Sequence, residues 1–294
     1  MENYNGIILI DKPAFVTSHD IVNTVRKILH TKRVGHTGTL DPIATGVLPV
    51  CVGSATKAAE MLTCDSKSYT AQLVLGMTTD TADCEGEVLT DCSVTASEDE
   101  IKKAVLSLKG ELMQIPPMYS AKKQDGKKLY ELARMGVTVD RKPVPVTVHD
   151  ISVLDVDMTE CTVSFHVNCS KGTYVRSLCE EIGIRLKCGA YMNTLRRTSS
   201  GEFDINDCIT IEKLKELCEK SELENVLIPV DSIFDYEKIM LPKKQAEHFK
   251  NGVFVSNPLI SDGNRYRVYD NEGNFMALAD CIDSRLKTYK SFRT

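Results

Sequence analysis

The chain has 294 residues, 42% of them hydrophobic and 26% charged, with a net charge of −5. Those values are ordinary for a soluble globular protein, and the length suits one large domain plus a small one. Eleven cysteines with no C-x-x-C spacing read as reduced thiols on apolar stretches rather than a zinc site, and Ile7–Ile10 is too short an apolar run for a signal peptide or a membrane span. The reading is a cytoplasmic protein with no membrane contact.

Gly6–Ile10 predicts a short buried strand with Asp11-Lys12-Pro13 as its exit. Ser18 is the expected cap of a helix carrying Ile21, Val22, Val25, Ile28 and Leu29 at helical spacing. Arg26, Lys27, His30, Lys32 and Arg33 give a basic lead into residues 35–57, which hold four glycines and two prolines. Gly35, Gly38 and Gly46 permit unusual backbone angles, and Pro42 pushes Asp41 away from helix. Asp41 therefore belongs on a shaped loop ahead of the apolar run Val47–Val52. Two readings stand: a polar site propped on a buried element, or a turn whose aspartate caps the next segment.

Tyr69–Gly76 alternates as a strand with Tyr69, Ala71, Leu73 and Leu75 on one face, and Gly76–Glu87 is acidic and turn-rich. Ser97 and Glu100 form a capping box before a helix with Ile101, Ala104, Val105 and Leu108 on its core side. Residues 114–146 change character. An irregular lead-in, Ile115–Lys123, precedes a short helix shared by Lys127, Lys128, Leu129, Tyr130, Leu132 and Arg134. Val137–Pro145 then contains Arg141, Lys142, Pro143 and Pro145, so the segment reads as a basic surface flap or as a solvated loop. Val146–Val156 and Cys161–Cys169 predict a hairpin, Tyr174–Leu186 a helix, Ala190–Ser199 a strand and Thr210–Leu217 a helix. Past residue 236 the pattern is β-rich: strands at Arg265–Tyr269, Phe275–Cys281 and Leu286–Phe292.

The negative total hides local asymmetry. Residues 121–145 hold seven Lys/Arg against three Asp/Glu, and residues 167–200 six against two. Residues 80–111 hold nine acids against three bases, and residues 202–236 ten against three. A basic face, rather than a basic total, is what phosphate contacts need.

The block Gly35–Lys57 resembles the signature of the TruB-type pseudouridine synthases. Ile8–Pro13 resembles the family's N-terminal motif, Asp65-Ser66-Lys67-Ser68-Tyr69 its second active-site segment, and Cys169–Leu178 its third. The resemblance runs over about residues 5–235. It implies an α/β (α+β) catalytic domain at 1–236 on a mixed, largely antiparallel sheet. It also implies an RNA-gripping insertion at about 114–146. A small β-rich module at 237–294, resembling compact PUA-like domains, is an RNA-binding module or an ordinary packing domain. The implied activity is isomerisation of a uridine in the T-arm stem-loop of tRNA (position 55 in the family), by a monomer that needs no protein partner. A guide-RNA-dependent member of the superfamily, or a tRNA chaperone with secondary catalysis, are the alternatives.

Pseudouridine formation breaks the bond from ribose C1′ to N1 and joins C5 to C1′, so it calls for no redox cofactor and no metal. It calls for a carboxylate at an electron-poor centre and a pocket that retains the base. The resemblance places Asp41 as that nucleophile. Arg176 beside it would keep the carboxylate ionised and fix its rotamer through a forked hydrogen bond. Tyr69 and Tyr174 match the pocket tyrosines, where a ring can stack on an extruded base and a phenol can relay a proton; both are otherwise core tyrosines. Leu195 matches a pocket wall or is simply core. His36 could pair with Asp41 as acid and base, while the resemblance implies that it enters the RNA loop as the uridine flips out. Lys12 is either a phosphate contact or a support for the Asp41 loop.

Overall fold

The structure is a computed structural model describing residues 4–62, 66–120, 122–124 and 126–293. Asp65 of the second motif and Ala121 of the insertion lead-in lie outside the described residues. The first elements are β1 (Gly6–Lys12), α1 (Ser18–Ile28), β2 (Val34–His36), β3 (Thr45–Val52), β4 (Ser66–Leu75), β5 (Met77–Thr79) and β6 (Val88–Asp91). Then come α2 (Glu98–Leu106), β7 (Gly110–Gln114), β8 (Lys123–Gln124), β9 (Lys127–Lys128), α3 (Leu129–Arg134), β10 (Val144–Asp157), β11 (Thr162–Ser170) and α4 (Val175–Arg185). The remainder is β12 (Ala190–Ser200), β13 (Phe203–Asp204), α5 (Ile211–Glu219), β14 (Glu237–Met240), α6 (Lys243–Lys250), β15 (Val255–Ser256), β16 (Arg265–Tyr269), β17 (Phe275–Ile282) and β18 (Arg285–Ser291).

One mixed sheet orders β1-β3-β12-β4-β11-β10-β7, with β2 on β3 and β13 on β12. Its pairs are antiparallel except β3 with β12, where Thr45 and Gly46 lie opposite Arg196 and Arg197. The alternating residues of β4 bury Tyr69, Ala71, Leu73 and Leu75 in one core with Ile101 and Val105 of α2 and Leu178 and Ile182 of α4. β1 is buried on both faces, which explains its unbroken apolar run. Ile8 and Ile10 pack with α1 and α5, while Ile7 and Leu9 pack with Val230, Phe234, Leu278 and Phe292. That second face joins the large sheet to a five-stranded one, ordered β14-β16-β17-β18-β15. Lys57 adds a hydrogen bond to the Ser291 carbonyl across the same boundary, at 2.9 Å. No helix among the described residues is long and apolar enough to cross a membrane.

Several local expectations are corrected. The cap of α1 is Thr17, whose side chain and Asp20 satisfy each other's backbone N–H groups; Ser18 is the first helical residue. Lys127 and Lys128 pair with Lys123 and Gln124 in a small hairpin ahead of α3 rather than joining the helix. The basic excursion ends sooner than expected, because Val144 and Pro145 already pair with β7. The C-terminal module also contains α6, which buries only Ala246 and Phe249. The ten described cysteines are free thiols, five of them buried and Cys84 and Cys92 exposed.

The loop between β2 and β3 carries Asp41, and it is held from every side. Leu40, Ile43 and Ala44 sink into the core around it, which turns the intervening Asp41 outward. Ser18 Oγ accepts from the Leu40 N–H at 2.9 Å and donates to the Leu40 carbonyl at 3.1 Å. Lys12, fully buried, donates to the carbonyls of Pro13, Val16 and Pro42 at 2.9, 2.7 and 3.0 Å. Arg197, also buried, donates to the Val47 and Gly38 carbonyls at 2.7 and 3.1 Å. Gly46 sits at φ +101° against the Arg197 backbone, where a Cβ would collide with the Arg197 carbonyl. Ser18→Ala strands both backbone groups of Leu40 in the core, so we expect a loss of about 1–3 kcal/mol in unfolding free energy by denaturant titration. An unchanged midpoint and slope would contradict the tethering role of Ser18.

Candidate active site

Asp41 and Arg176 are 135 positions apart in the chain and meet because α4 begins just after β11 ends. Tyr174 caps α4 on its N-terminal side, and Gln114 fixes that cap by accepting from the Tyr174 N–H at 2.8 Å and donating to its carbonyl at 3.0 Å. Arg176, the second residue of α4, then enters the protein interior, with 4% of its side chain exposed. Its Nη2 lies 3.1 Å from Asp41 Oδ2 and donates to the Tyr119 carbonyl at 2.8 Å. Its Nη1 lies 3.2 Å from Asp83 Oδ2 and donates to the Thr81 carbonyl at 3.1 Å. The expected two-pronged grip on Asp41 is thus replaced by one prong on Asp41 and one on a second carboxylate.

Asp83 is a buried carboxylate at this site that the sequence did not single out. It lies in the turn between β5 and β6, where Thr81 Oγ1 donates to Asp83 Oδ1 at 2.6 Å and Thr79 Oγ1 to its carbonyl at 2.7 Å. The Cys84 N–H bonded to the Met192 carbonyl, at 3.0 Å, ties the turn to β12. Arg197 is a second omission. It stands opposite Tyr69 in the β4–β12 register, where its charge opposes the upward push of burial on the Tyr69 phenol.

Arg176 favours the ionised form of Asp41, as expected, but other influences act beside it. About a third of the Asp41 side chain, 34%, stays open to solvent, and burial of the rest pushes its carboxyl above the usual aspartate range. Arg176 and Lys12 oppose that rise, and Asp83 adds to it. Burial also raises the Tyr69 phenol, which stays protonated at neutral pH, and lowers the Lys12 ammonium to about 8. His36, half-buried at the end of β2, is lowered by burial and by the nearby Arg197. Three buried cations, Lys12, Arg176 and Arg197, therefore hold the Asp41 loop, and Arg176 pairs with both carboxylates.

The structure brings Asp41, Arg176, Tyr69 and Leu195 to one place: Tyr69 and Leu195 lie in the same core cluster as Leu40, Ile43 and Ala44. Tyr174 is half-buried at the head of α4. Lys12 chooses the support role, since its ammonium is enclosed by three carbonyls and out of reach of a phosphate.

Comparison with known proteins meets this geometry directly. The family described as TruB family pseudouridylate synthase (N terminal domain) matches residues 26–175. This chain belongs to the TruB family. The description tRNA pseudouridylate synthase B C-terminal domain matches residues 176–235, so the family boundary falls inside α4, next to Arg176. A tRNA pseudouridine synthase B of Alkaliphilus oremlandii is 52% identical over 258 residues, covering 87% of this chain and 85% of that one. A second, of Clostridium acetobutylicum, is 42% identical over 290 residues, covering 97% and 99%. Among solved structures, a chain of a Cbf5-Nop10-Gar1 complex is 26% identical with a TM-score of 0.70, covering 98% of this chain and 85% of that one.

For this TruB-family site the pH dependence follows from the raised Asp41 and lowered Lys12. An ionised Asp41 is lost as pH falls through its raised pKa, and the Lys12 charge is lost as pH rises past about 8. Single-turnover rates should therefore form a bell whose acid limb lies above the ordinary aspartate value of about 3.9. Asp83→Asn removes a like charge and should move that limb to lower pH while slowing the plateau about 10- to 100-fold, the worth of a charged hydrogen bond to Arg176. An acid limb at or below the ordinary value in the wild type would contradict this electrostatic picture.

Proposed function

We propose that this chain isomerises uridine 55 in the T-arm stem-loop of tRNA to pseudouridine, acting as a cytoplasmic monomer without a protein partner or guide RNA. The observation that carries the reading is the chain of contacts Asp41–Arg176–Asp83 at the foot of a loop open to solvent on the Asp41 side alone. Arg176 is fixed by two backbone carbonyls as well, so it presents the Asp41 carboxylate in one orientation. A carboxylate whose pKa is raised is also more basic once ionised, and so a stronger nucleophile toward the ribose or the base.

The reaction exchanges bonds within one nucleotide. N1–C1′ and C5–H break, C5–C1′ and N1–H form, and the C5 hydrogen leaves as a proton. Tyr69, protonated and opposite Arg197, is the group that lies under the detached base and can relay that proton. Leu195, with the apolar flanks of the Asp41 loop, walls the pocket against water, whose attack would leave an abasic site. His36, at the end of β2, enters the RNA loop as the uridine flips out, and offsets part of the few kcal/mol that flipping costs. Tyr174 lines the entrance at the head of α4.

In this reading residues 1–236 are the catalytic domain, and the insertion at about 114–146 grips the RNA. Its root is wired to the site: Gln114 clamps Tyr174, and the Tyr119 carbonyl takes Arg176. Residues 237–294 form a PUA-like RNA-binding module with ten Lys/Arg against seven Asp/Glu. Its exposed Phe254 lies within cation–π distance of Lys287, 5.9 Å from ammonium to ring centre.

The test is tritium release from an unmodified tRNA transcript labelled at uridine C5, with purified protein and no added guide RNA. Wild type should release about one equivalent and Asp41→Asn none, while His36→Ala should slow release less than Asp41→Asn does. Release by Asp41→Asn would move catalysis elsewhere, and no release by wild type that binds tRNA would favour a chaperone.

A further inference from the structure

The turn after β1 holds an aromatic ring out in water beside the active-site loop. Phe15 has 76% of its side chain exposed and a backbone φ of +63°. That left-handed conformation is costly for a bulky residue and is ordinarily left to glycine or asparagine. Nothing in the core compensates, because the ring is not packed there. The backbone is held instead by one contact: the Phe15 N–H donates to the Pro42 carbonyl at 2.8 Å, the same carbonyl that Lys12 takes at 3.0 Å. Pro42 directly follows Asp41, so the ring stands on the lip of the Asp41 loop.

An exposed phenylalanine alone would be unremarked. An exposed phenylalanine in a disfavoured conformation, tied to the peptide next to Asp41, points to a ligand that repays both. The neighbouring site narrows the ligand. The ring stands beside the loop that carries Asp41, whose side chain is open to solvent on one side. A flat apolar face at that lip matches an unstacked nucleobase.

We propose that Phe15 is a stacking platform for an unpaired nucleobase next to the uridine that enters the Asp41 pocket, and so a positioning residue for the RNA. This rests on the tRNA reading above and extends it to a contact outside the Asp41–Arg176–Asp83 group. The base would leave its own stack in the RNA loop and regain a π-face on the protein, at the lip where the flipped uridine passes.

The chain contains no tryptophan, so Phe15→Trp installs a single fluorescent reporter at the platform. Unmodified tRNA transcript should quench that emission, and a loopless RNA duplex of equal length should not. Phe15→Gly, which removes the ring and suits the left-handed backbone, should weaken tRNA binding about five- to hundredfold without lowering the melting temperature. Phe15→Tyr should bind as wild type does. Unchanged tRNA affinity in Phe15→Gly overturns the platform, as does equal quenching by the duplex. Failure of wild type to bind tRNA at all would instead overturn the tRNA reading on which it rests.

Discussion

A guanidinium buried to 4% exposure is the constraint on which the rest depends. Arg176 cannot lose its charge, and an unpaired buried charge costs several kcal/mol. The fold therefore has to bring acceptors to it from three separate places in the chain: Asp41, the Thr81–Asp83 turn and the Tyr119 carbonyl. Each of those segments is fixed in turn by meeting this demand. The result is a carboxylate with one face on Arg176 and the other on solvent, which is the arrangement a nucleophile needs. The same guanidinium links the basic segment at 114–146 to Asp41, because Tyr119 belongs to that segment.

The second layer is a strand junction. β3 and β12 are the parallel pair in an otherwise antiparallel sheet, and the Asp41 loop enters β3 at that seam. Parallel pairing brings the Arg197 backbone against Gly46, and the Arg197 side chain folds back to hold the Gly38 and Val47 carbonyls. On the other side β1 supplies Lys12. Two buried cations thus hold loop carbonyls rather than carboxylates, which leaves positive potential beneath Asp41 without quenching it. Burial still wins, and the Asp41 carboxyl is raised.

Much of this was legible in the sequence where local pattern and chemistry coincide. The alternation of Tyr69, Ala71, Leu73 and Leu75 marked β4, and the Gly/Pro block marked the Asp41 loop. Asp83 was not legible: it is one of nine acids between residues 80 and 111, and its burial comes from threonine hydroxyls and from the β12 contact. Arg196 and Arg197 point to opposite faces of one strand, so one of them had to be buried, but only the register says which. Thr17 and Ser18 are equally good caps by type; the tertiary bond to Leu40 took Ser18. α6 buries too few apolar residues to show a helical period. The upward shift of Asp41 could not be read at all, since it arises from enclosure by the whole fold.

The central claim is that Asp83 and Arg176 act as one unit on Asp41. A double-mutant cycle on single-turnover isomerisation rates, using Asp83→Asn, Arg176→Lys and the double variant, measures that directly. The account predicts that the double variant is no slower than the worse of the two singles, because either change alone already releases Asp41. Losses that multiply would show two independent contributions and contradict it.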